Sequence, residues 1–135
     1  MALEGNRLSA HSIELQRVLL VDDEPMVLNA IRRAFERAGR IVTACRTFED
    51  AREELITGDF DALLTDVRLG GFNGLQLAVV ARHLDPEMRI VVFSGSDDAV
   101  LREEAARLGA AYVVKPVAPE QLLDITSRVE HSPSN

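Results

Sequence analysis

Five short apolar runs recur along the chain, each followed by a stretch with helical spacing, and no other feature limits the fold so strongly. The runs are "RVLLV" from Arg17, "IVTAC" from Ile41, "DALLTD" from Asp61, "RIVVFSG" from Arg89 and "AYVV" from Ala111. After the first, Leu28, Ile31, Phe35 and Ala38 recur at a helical period, with Pro25 suited to a first turn and Gly39 to a stop. The second helix opens at Thr47 with Asp50 three residues on, a capping-box spacing, and carries Phe48, Ala51 and Leu55 on one face. The third follows the glycine-rich "RLGGFNG" and is expected to bury Leu77, Val80, Ala81 and Leu84. The fourth uses Leu101, Ala105 and Leu108 and stops at Gly109, and the fifth starts near Pro119 and uses Leu122, Ile125 and Val129. Strict alternation with short connections predicts one α/β domain, a doubly wound five-stranded parallel sheet with five helices on its two faces. The fourth run is apolar throughout, as a strand covered on both faces should be.

The chain has 135 residues, enough for one domain that needs no disulfide or metal staple. Residues 1–16 read as a flexible N-terminal arm, 17–130 as the folded unit, and 131–135 as a polar tail or the start of a linker. Net charge is −7 and no basic run appears, which argues against direct nucleic-acid binding. No apolar stretch approaches the length of a membrane span, and Cys45 is the only cysteine, so a cytoplasmic protein without an intrachain disulfide is expected. Cys45 reads as a core or strand-end residue rather than a reactive thiol. His11, His83 and His131 have no metal-ligand spacing.

The carboxyl ends of the strands carry Asp22 and Asp23, then Asp66, then Ser94, then Lys115. Ligands of open parallel sheets sit outside those ends, where strand order reverses. With the order 2-1-3-4-5 the acid pair faces Asp66, and Ser94 and Lys115 arrive from the adjoining strands. Two carboxylates ~4 Å apart repel by about 4 kcal/mol at an effective dielectric of about 20. Lys115 supplies only one compensating charge. A hard divalent cation that prefers carboxylates, water and phosphate oxygens supplies the rest, Mg²⁺ or Mn²⁺ in its place. A carboxylate beside such an ion can attack phosphorus to form an aspartyl phosphate, with Lys115 and the Ser94 hydroxyl stabilising the transferred oxygens.

The segments "LLVDDEP", "LLTDVRL…G", "VVFSGS" and "YVVKP", in this order and each at a strand end, resemble the receiver domain of bacterial two-component response regulators over about residues 17–130. The resemblance implies a flavodoxin-like fold. It implies that Asp66 is the phosphoacceptor, and that Asp23 and Asp66 bind the metal with the Arg68 backbone carbonyl while Asp22 holds the metal's waters. It makes Ser94 the switch hydroxyl, Tyr112 the switch aromatic and Lys115 the phosphate-pairing lysine, with Pro116 following through a cis bond. The phosphoryl donor is then a histidine kinase or histidine phosphotransfer protein. The domain catalyses only its own phosphorylation and dephosphorylation, in a phosphorelay. Its readout is the surface of the fourth helix, fifth strand and fifth helix, presented to an effector protein or domain or to a second copy in a phosphorylation-dependent homodimer. Arg68 and Ser96 stand where the family varies and where phosphate lifetime is influenced.

The sequence departs from the family at Gly70, where a proline is usual, and the Gly70–Gly71 pair predicts a more mobile loop. Two rival readings stay open at this stage. A phosphohydrolase of the haloacid-dehalogenase kind would also use an aspartate nucleophile, but it places its acids as D-x-D on one strand. A degenerate receiver would act only as a binding module. Asp22 and Asp23 also have an ordinary alternative, as an N-cap and a first-turn acid of the first helix.

Overall fold

The computed structural model describes residues 15–127. Most of the expected arm and the whole polar tail, with Val129, His11 and His131, lie outside the described residues. The elements run β1 (Arg17–Val21), α1 (Pro25–Arg37), β2 (Ile41–Cys45), α2 (Phe48–Thr57), β3 (Ala62–Asp66), β4 (Arg68–Leu69), β5 (Phe72–Asn73), α3 (Gly74–Leu84), β6 (Arg89–Ser94), α4 (Ala99–Arg107), β7 (Ala111–Val114) and α5 (Pro119–Thr126). The main sheet is parallel throughout, in the order β2-β1-β3-β6-β7. Once the short pair β4–β5 is set aside, this is the expected order 2-1-3-4-5.

Successive strand residues point to opposite faces, and here both faces are covered. Leu19, Val21, Leu63 and Val92 join Leu55, Leu77, Ala81 and Ala105 of α2, α3 and α4 in one core. Val18, Leu20, Leu64, Val91 and Phe93 join Leu28, Ile31, Phe35 and Leu122 of α1 and α5 in the other. Cys45 is buried at the end of β2, and burial, then the nearby Glu54 and Asp50 charges, push its thiol up to about 11. Among the described residues no helix is long and apolar enough to cross a membrane.

Most helix ends follow the local chemistry. Pro25 occupies the first turn of α1, the Thr47 hydroxyl accepts from the Asp50 N–H at 3.1 Å, and Gly39 and Gly109 take φ of 85° and 69° just past α1 and α4. Two expected core contacts are corrected. Ala38 is the exposed C-cap of α1, and Leu84, the last residue of α3, is 51% exposed. Each sits where the helix is already leaving the sheet.

The segment after Asp66, read as a glycine loop, closes instead as a two-residue-per-strand antiparallel hairpin, with Arg68 paired to Asn73 and Leu69 to Phe72. Gly70 supplies the left-handed turn at φ 64°, a conformation that costs glycine little. The Asn73 side chain accepts from the Leu75 N–H at 2.8 Å, and the Gln76 side chain accepts from the Asn73 N–H at 3.1 Å, so α3 starts at a fixed point. Gly74, its first residue, lies against the end of β3 with its N–H 2.6 Å from the Val67 carbonyl. A Cβ there would fall 2.0 Å from the Asp66 carbonyl oxygen and 2.8 Å from the Thr65 hydroxyl. Gly74→Ala is therefore expected to cost about 1–3 kcal/mol in urea unfolding, the usual penalty of forced overpacking. A loss below a few tenths of a kcal/mol would show that α3 can shift without cost.

Candidate functional site

The carboxyl ends of β1, β3, β6 and β7 bring the expected residues together. The Asp22 N–H still continues the ladder to the Cys45 carbonyl at 3.1 Å, so Asp22 leaves β1 with its side chain fully buried. One of its carboxylate oxygens accepts from the Glu24 N–H at 2.9 Å and the other lies 3.3 Å from Lys115 Nζ. Asp23 is exposed. Neither acid caps α1, because the N-cap is Glu24 and its side chain makes no cap hydrogen bond. The ordinary alternative for the acid pair, N-cap and first-turn acid, is thereby excluded; the helix starts at Pro25, two residues too late for an Asp22 cap.

Asp66 ends β3, nearly buried, with one oxygen 3.3 Å from Lys115 Nζ and the other accepting from the Arg68 N–H at 3.4 Å. Thr65 and Gly74 pin the backbone on either side of it. Lys115 follows β7, where its N–H donates to the Ser94 carbonyl at 2.7 Å, and the Lys115–Pro116 peptide is cis, as expected. Its ammonium also sits 5.4 Å from the centroid of the buried Phe93 ring. One oxygen each from Asp22, Asp23 and Asp66 lies within 4.8 Å of the other two. An all-oxygen set of this size suits a hard divalent cation.

The electrostatics follow from one ammonium shared by two buried carboxylates. Burial, the largest influence, raises the Asp22 and Asp66 carboxyls above the usual carboxylate range despite their contacts with Lys115. Burial alone would lower the Lys115 ammonium, but Asp66 and Asp22 outweigh it and hold it above the usual lysine value. The lysine is thus fully used while each acid is only partly compensated. With no cation bound, the raised carboxyls contribute stability below the ordinary carboxylate value and lose it as pH climbs through their raised values. The Lys115 contribution is present below the ordinary lysine value and is lost only above it.

Ser94 ends β6, buried, and its hydroxyl oxygen accepts from the Ser96 N–H at 3.3 Å. The Tyr112 hydroxyl donates to the Ser96 carbonyl at 2.8 Å, and its ring lies under the Arg102 guanidinium, 4.8 Å from the centroid. Arg102 in turn pairs with Asp97 at 2.8 Å. Ser96 therefore touches both residues singled out from the sequence. Sequence reasoning overlooked this link, together with Gly74 and the stacked rings of Phe48 and Phe72, 4.5 Å apart at 10°. A lone serine, glycine or phenylalanine carries no spacing that announces a partner.

The family model for response regulator receiver domains matches residues 18–127. The alginate biosynthesis transcriptional regulatory protein AlgB of Pseudomonas putida is 35% identical over 113 residues, which is 83% of this chain and 25% of that protein. The two-component response regulator PprB of Pseudomonas aeruginosa is 32% identical over 84% of this chain and 43% of its own length. The chain thus spans about a quarter of AlgB and less than half of PprB. Among solved structures, a CheY-like receiver domain protein from Methanospirillum hungatei aligns with a TM-score of 0.81 at 28% identity, covering 87% of this chain and 96% of that one. A response regulator from Burkholderia pseudomallei, holding a phosphorylated aspartic acid and a calcium ion, aligns at 0.77 and 25% identity over 87% of this chain and 70% of its own.

The three-acid geometry carries a direct expectation for metal binding. A cation that binds only the folded state raises the melting temperature by mass action. Mg²⁺ should therefore raise it in wild type, and Asp23→Asn should weaken that response while raising or barely changing the melting temperature in EDTA. An Asp23→Asn protein that melts lower in EDTA and responds normally to Mg²⁺ would place this acid outside the cation site.

Proposed function

The chain belongs to the family of response regulator receiver domains, and on that premise we propose that it accepts a phosphoryl group on Asp66 and signals through the surface of α4, β7 and α5. One observation carries the assignment: Asp22 and Asp66 both meet the acid cluster and the Lys115 ammonium, but Asp22 is fully buried whereas Asp66 keeps some of its side chain open to a donor. A carboxylate oxygen of Asp66 forms the new bond to phosphorus while the bond to the donor's imidazole breaks, the electron pair leaving with that imidazole. The donor class is a histidine kinase or histidine phosphotransfer protein. Asp23 and Asp66, with the Arg68 backbone carbonyl, are the groups that would hold a Mg²⁺ or Mn²⁺ ion, with Asp22 holding its waters. Bound there, the ion supplies charge neutralisation for the phosphoryl oxygens. Lys115 pairs with those oxygens, and its contacts with Asp22 and Asp66 keep it charged and aimed.

The domain so read spans residues 17–130, and it performs no turnover on a separate substrate beyond gaining and losing its own phosphoryl group. Its relatives AlgB and PprB are regulators of which it matches one part. The proposal for output is accordingly a protein–protein contact, with an effector or a second receiver, and not direct nucleic-acid binding. A cytoplasmic location fits a phosphorelay of this kind.

A phosphoryl group on Asp66 adds negative charge and acceptor oxygens. The Ser94 hydroxyl, now an acceptor for Ser96, can instead donate to them. That movement removes the partner of the Ser96 N–H and disturbs the carbonyl on which the Tyr112 hydroxyl rests. The phosphoryl group then favours one of two packings by as much as it binds them differently. A difference of about 2.7 kcal/mol changes their ratio a hundredfold.

Two measurements test this. After incubation with Mg²⁺ and a small acyl phosphate, intact mass should show one added phosphoryl group in wild type and none in Asp66→Asn. An unchanged level in Asp66→Asn would move the acceptor elsewhere. Ser94→Ala should still accept phosphate but transmit it poorly. In hydrogen exchange with and without beryllofluoride, protection changes should concentrate in residues 94–115 in wild type and shrink in Ser94→Ala. Changes confined to residues 66–74 in both proteins would rule out the switch.

A further inference from the structure

We propose that Phe72 and Phe48 are positioning residues for the acceptor: their stacked rings hold the hairpin that carries Arg68 in register with Asp66. The inference rests on the reading of Asp66 as phosphoacceptor and adds to it a pair of residues that carry no charge themselves.

The hairpin β4–β5 has two residues in each strand, joined through Gly70 and Gly71. An isolated pair of strands is marginal even at ordinary length, so this one needs outside support. Leu69 supplies some, buried in the core, and the Asn73–Gln76 capping box fixes the far end at α3. Between these two anchors the Phe72 ring, 42% exposed, adds a further contact, lying nearly parallel to the Phe48 ring at 4.5 Å between centroids.

Phe48 is the first residue of α2, three residues after Cys45, whose carbonyl accepts from the Asp22 N–H. The stack therefore joins the chain leaving β2, next to Asp22, to the chain leaving β3, next to Asp66. Inside the hairpin, Arg68 donates its N–H to the Asp66 carboxylate at 3.4 Å. If the rings part, the short strands lose one of the contacts that hold Arg68 in place. The contact of the Arg68 N–H with the Asp66 carboxylate then loosens, and the Arg68 carbonyl, read above as a metal ligand, loses its fixed position with it. The rings carry no charge, so they can alter cation binding only through the backbone. That separates positioning from electrostatics.

The test uses the full chain with Phe72→Ala, Phe72→Tyr, Phe48→Leu and the Phe72→Ala/Phe48→Leu double variant. Since Phe72 is partly exposed, its truncation should leave the core folded. In EDTA, amides of residues 67–74 should exchange roughly three- to tenfold faster in Phe72→Ala, the range an aromatic pair of this kind spans. The Mg²⁺ dissociation constant, from calorimetric titration at a temperature where every variant is folded, should rise by a similar factor. Phe72→Tyr keeps the ring and should restore both. The double variant should lose no more than Phe72→Ala alone, because the two rings act as one contact. A lower melting temperature with unchanged exchange at 67–74 and unchanged Mg²⁺ affinity would overturn the proposal, leaving the stack a packing contact only; additive losses in the double variant would overturn it too. Wild type that takes no phosphoryl group from an acyl phosphate would instead overturn the acceptor reading of Asp66, while exchange and Mg²⁺ affinity would still decide the role of the rings.

Discussion

Charge crowding at one end of the sheet is the constraint on which the rest of the molecule depends. Asp22 and Asp66 are buried beside a single ammonium, with Asp23 at the rim. Burying carboxylates is costly unless each is paired or hydrogen-bonded. Every other feature of the site limits that cost: the Glu24 and Arg68 N–H groups, the Lys115 ammonium, and the three oxygens spaced for a cation. Such a cluster persists only on a frame that cannot relax away from it. The five-stranded parallel sheet is that frame, packed on both faces, with the acids on strands that are hydrogen-bonded neighbours. Stability is thus spent at the strand ends and recovered in the two cores.

Much of this was legible in the sequence because its period is regular. Five apolar runs and the spacing of Leu28, Ile31 and Phe35 suffice for a parallel sheet, and the polar residues at the run ends suffice for a site. What stayed hidden has physical reasons. Strands of two residues, such as Arg68–Leu69 and Phe72–Asn73, are too short for a period of two to register. Gly70 and Gly71 read equally well as a mobile loop or as a tight turn, and only Gly70 takes a positive φ. Ala38 and Leu84 fit the helical period yet fall at helix ends, where the face no longer meets the sheet. Gly74 is needed because backbone approaches backbone, which no side-chain pattern encodes. Thr126, polar and fully buried, satisfies its hydroxyl on the Leu122 carbonyl of its own helix, so it escapes any reading based on apolar spacing.

The elements around the acids divide by stiffness. Asp22, Asp66 and Ser94 are buried at or beside the ends of strands in the sheet, whereas Arg68 and Ser96 depend on short-range contacts and the Tyr112 ring is only half-buried against the core. Groups that meet a phosphoryl donor need fixed positions, since misplacement of an ångström or so costs rate heavily. On the proposed reading, groups that report its arrival need the opposite.

In the switch proposed above, that second requirement falls on Tyr112, whose polar contacts are each weak. A neutral hydrogen bond, such as Tyr112 to the Ser96 carbonyl, contributes about 1 kcal/mol net. The Arg102 guanidinium over the ring adds about 0.5–1 kcal/mol at an exposed site. The Asp97–Arg102 pair, solvent-exposed, adds about 0–1 kcal/mol and less in salt. Together they come to a few kcal/mol, the same size as the differential binding that one phosphoryl group can supply through charge-assisted hydrogen bonds. Were Tyr112 locked in the core like Phe93, no such group could move it; were it free, there would be no state to leave. Ser96 joins these contacts to Ser94 through one residue, its N–H on the Ser94 hydroxyl and its carbonyl accepting from the Tyr112 hydroxyl. The two groups lie on successive peptide units that share the Ser96 Cα, so in the switch proposed above a displacement at Ser94 would reach Tyr112 through the Ser96 backbone.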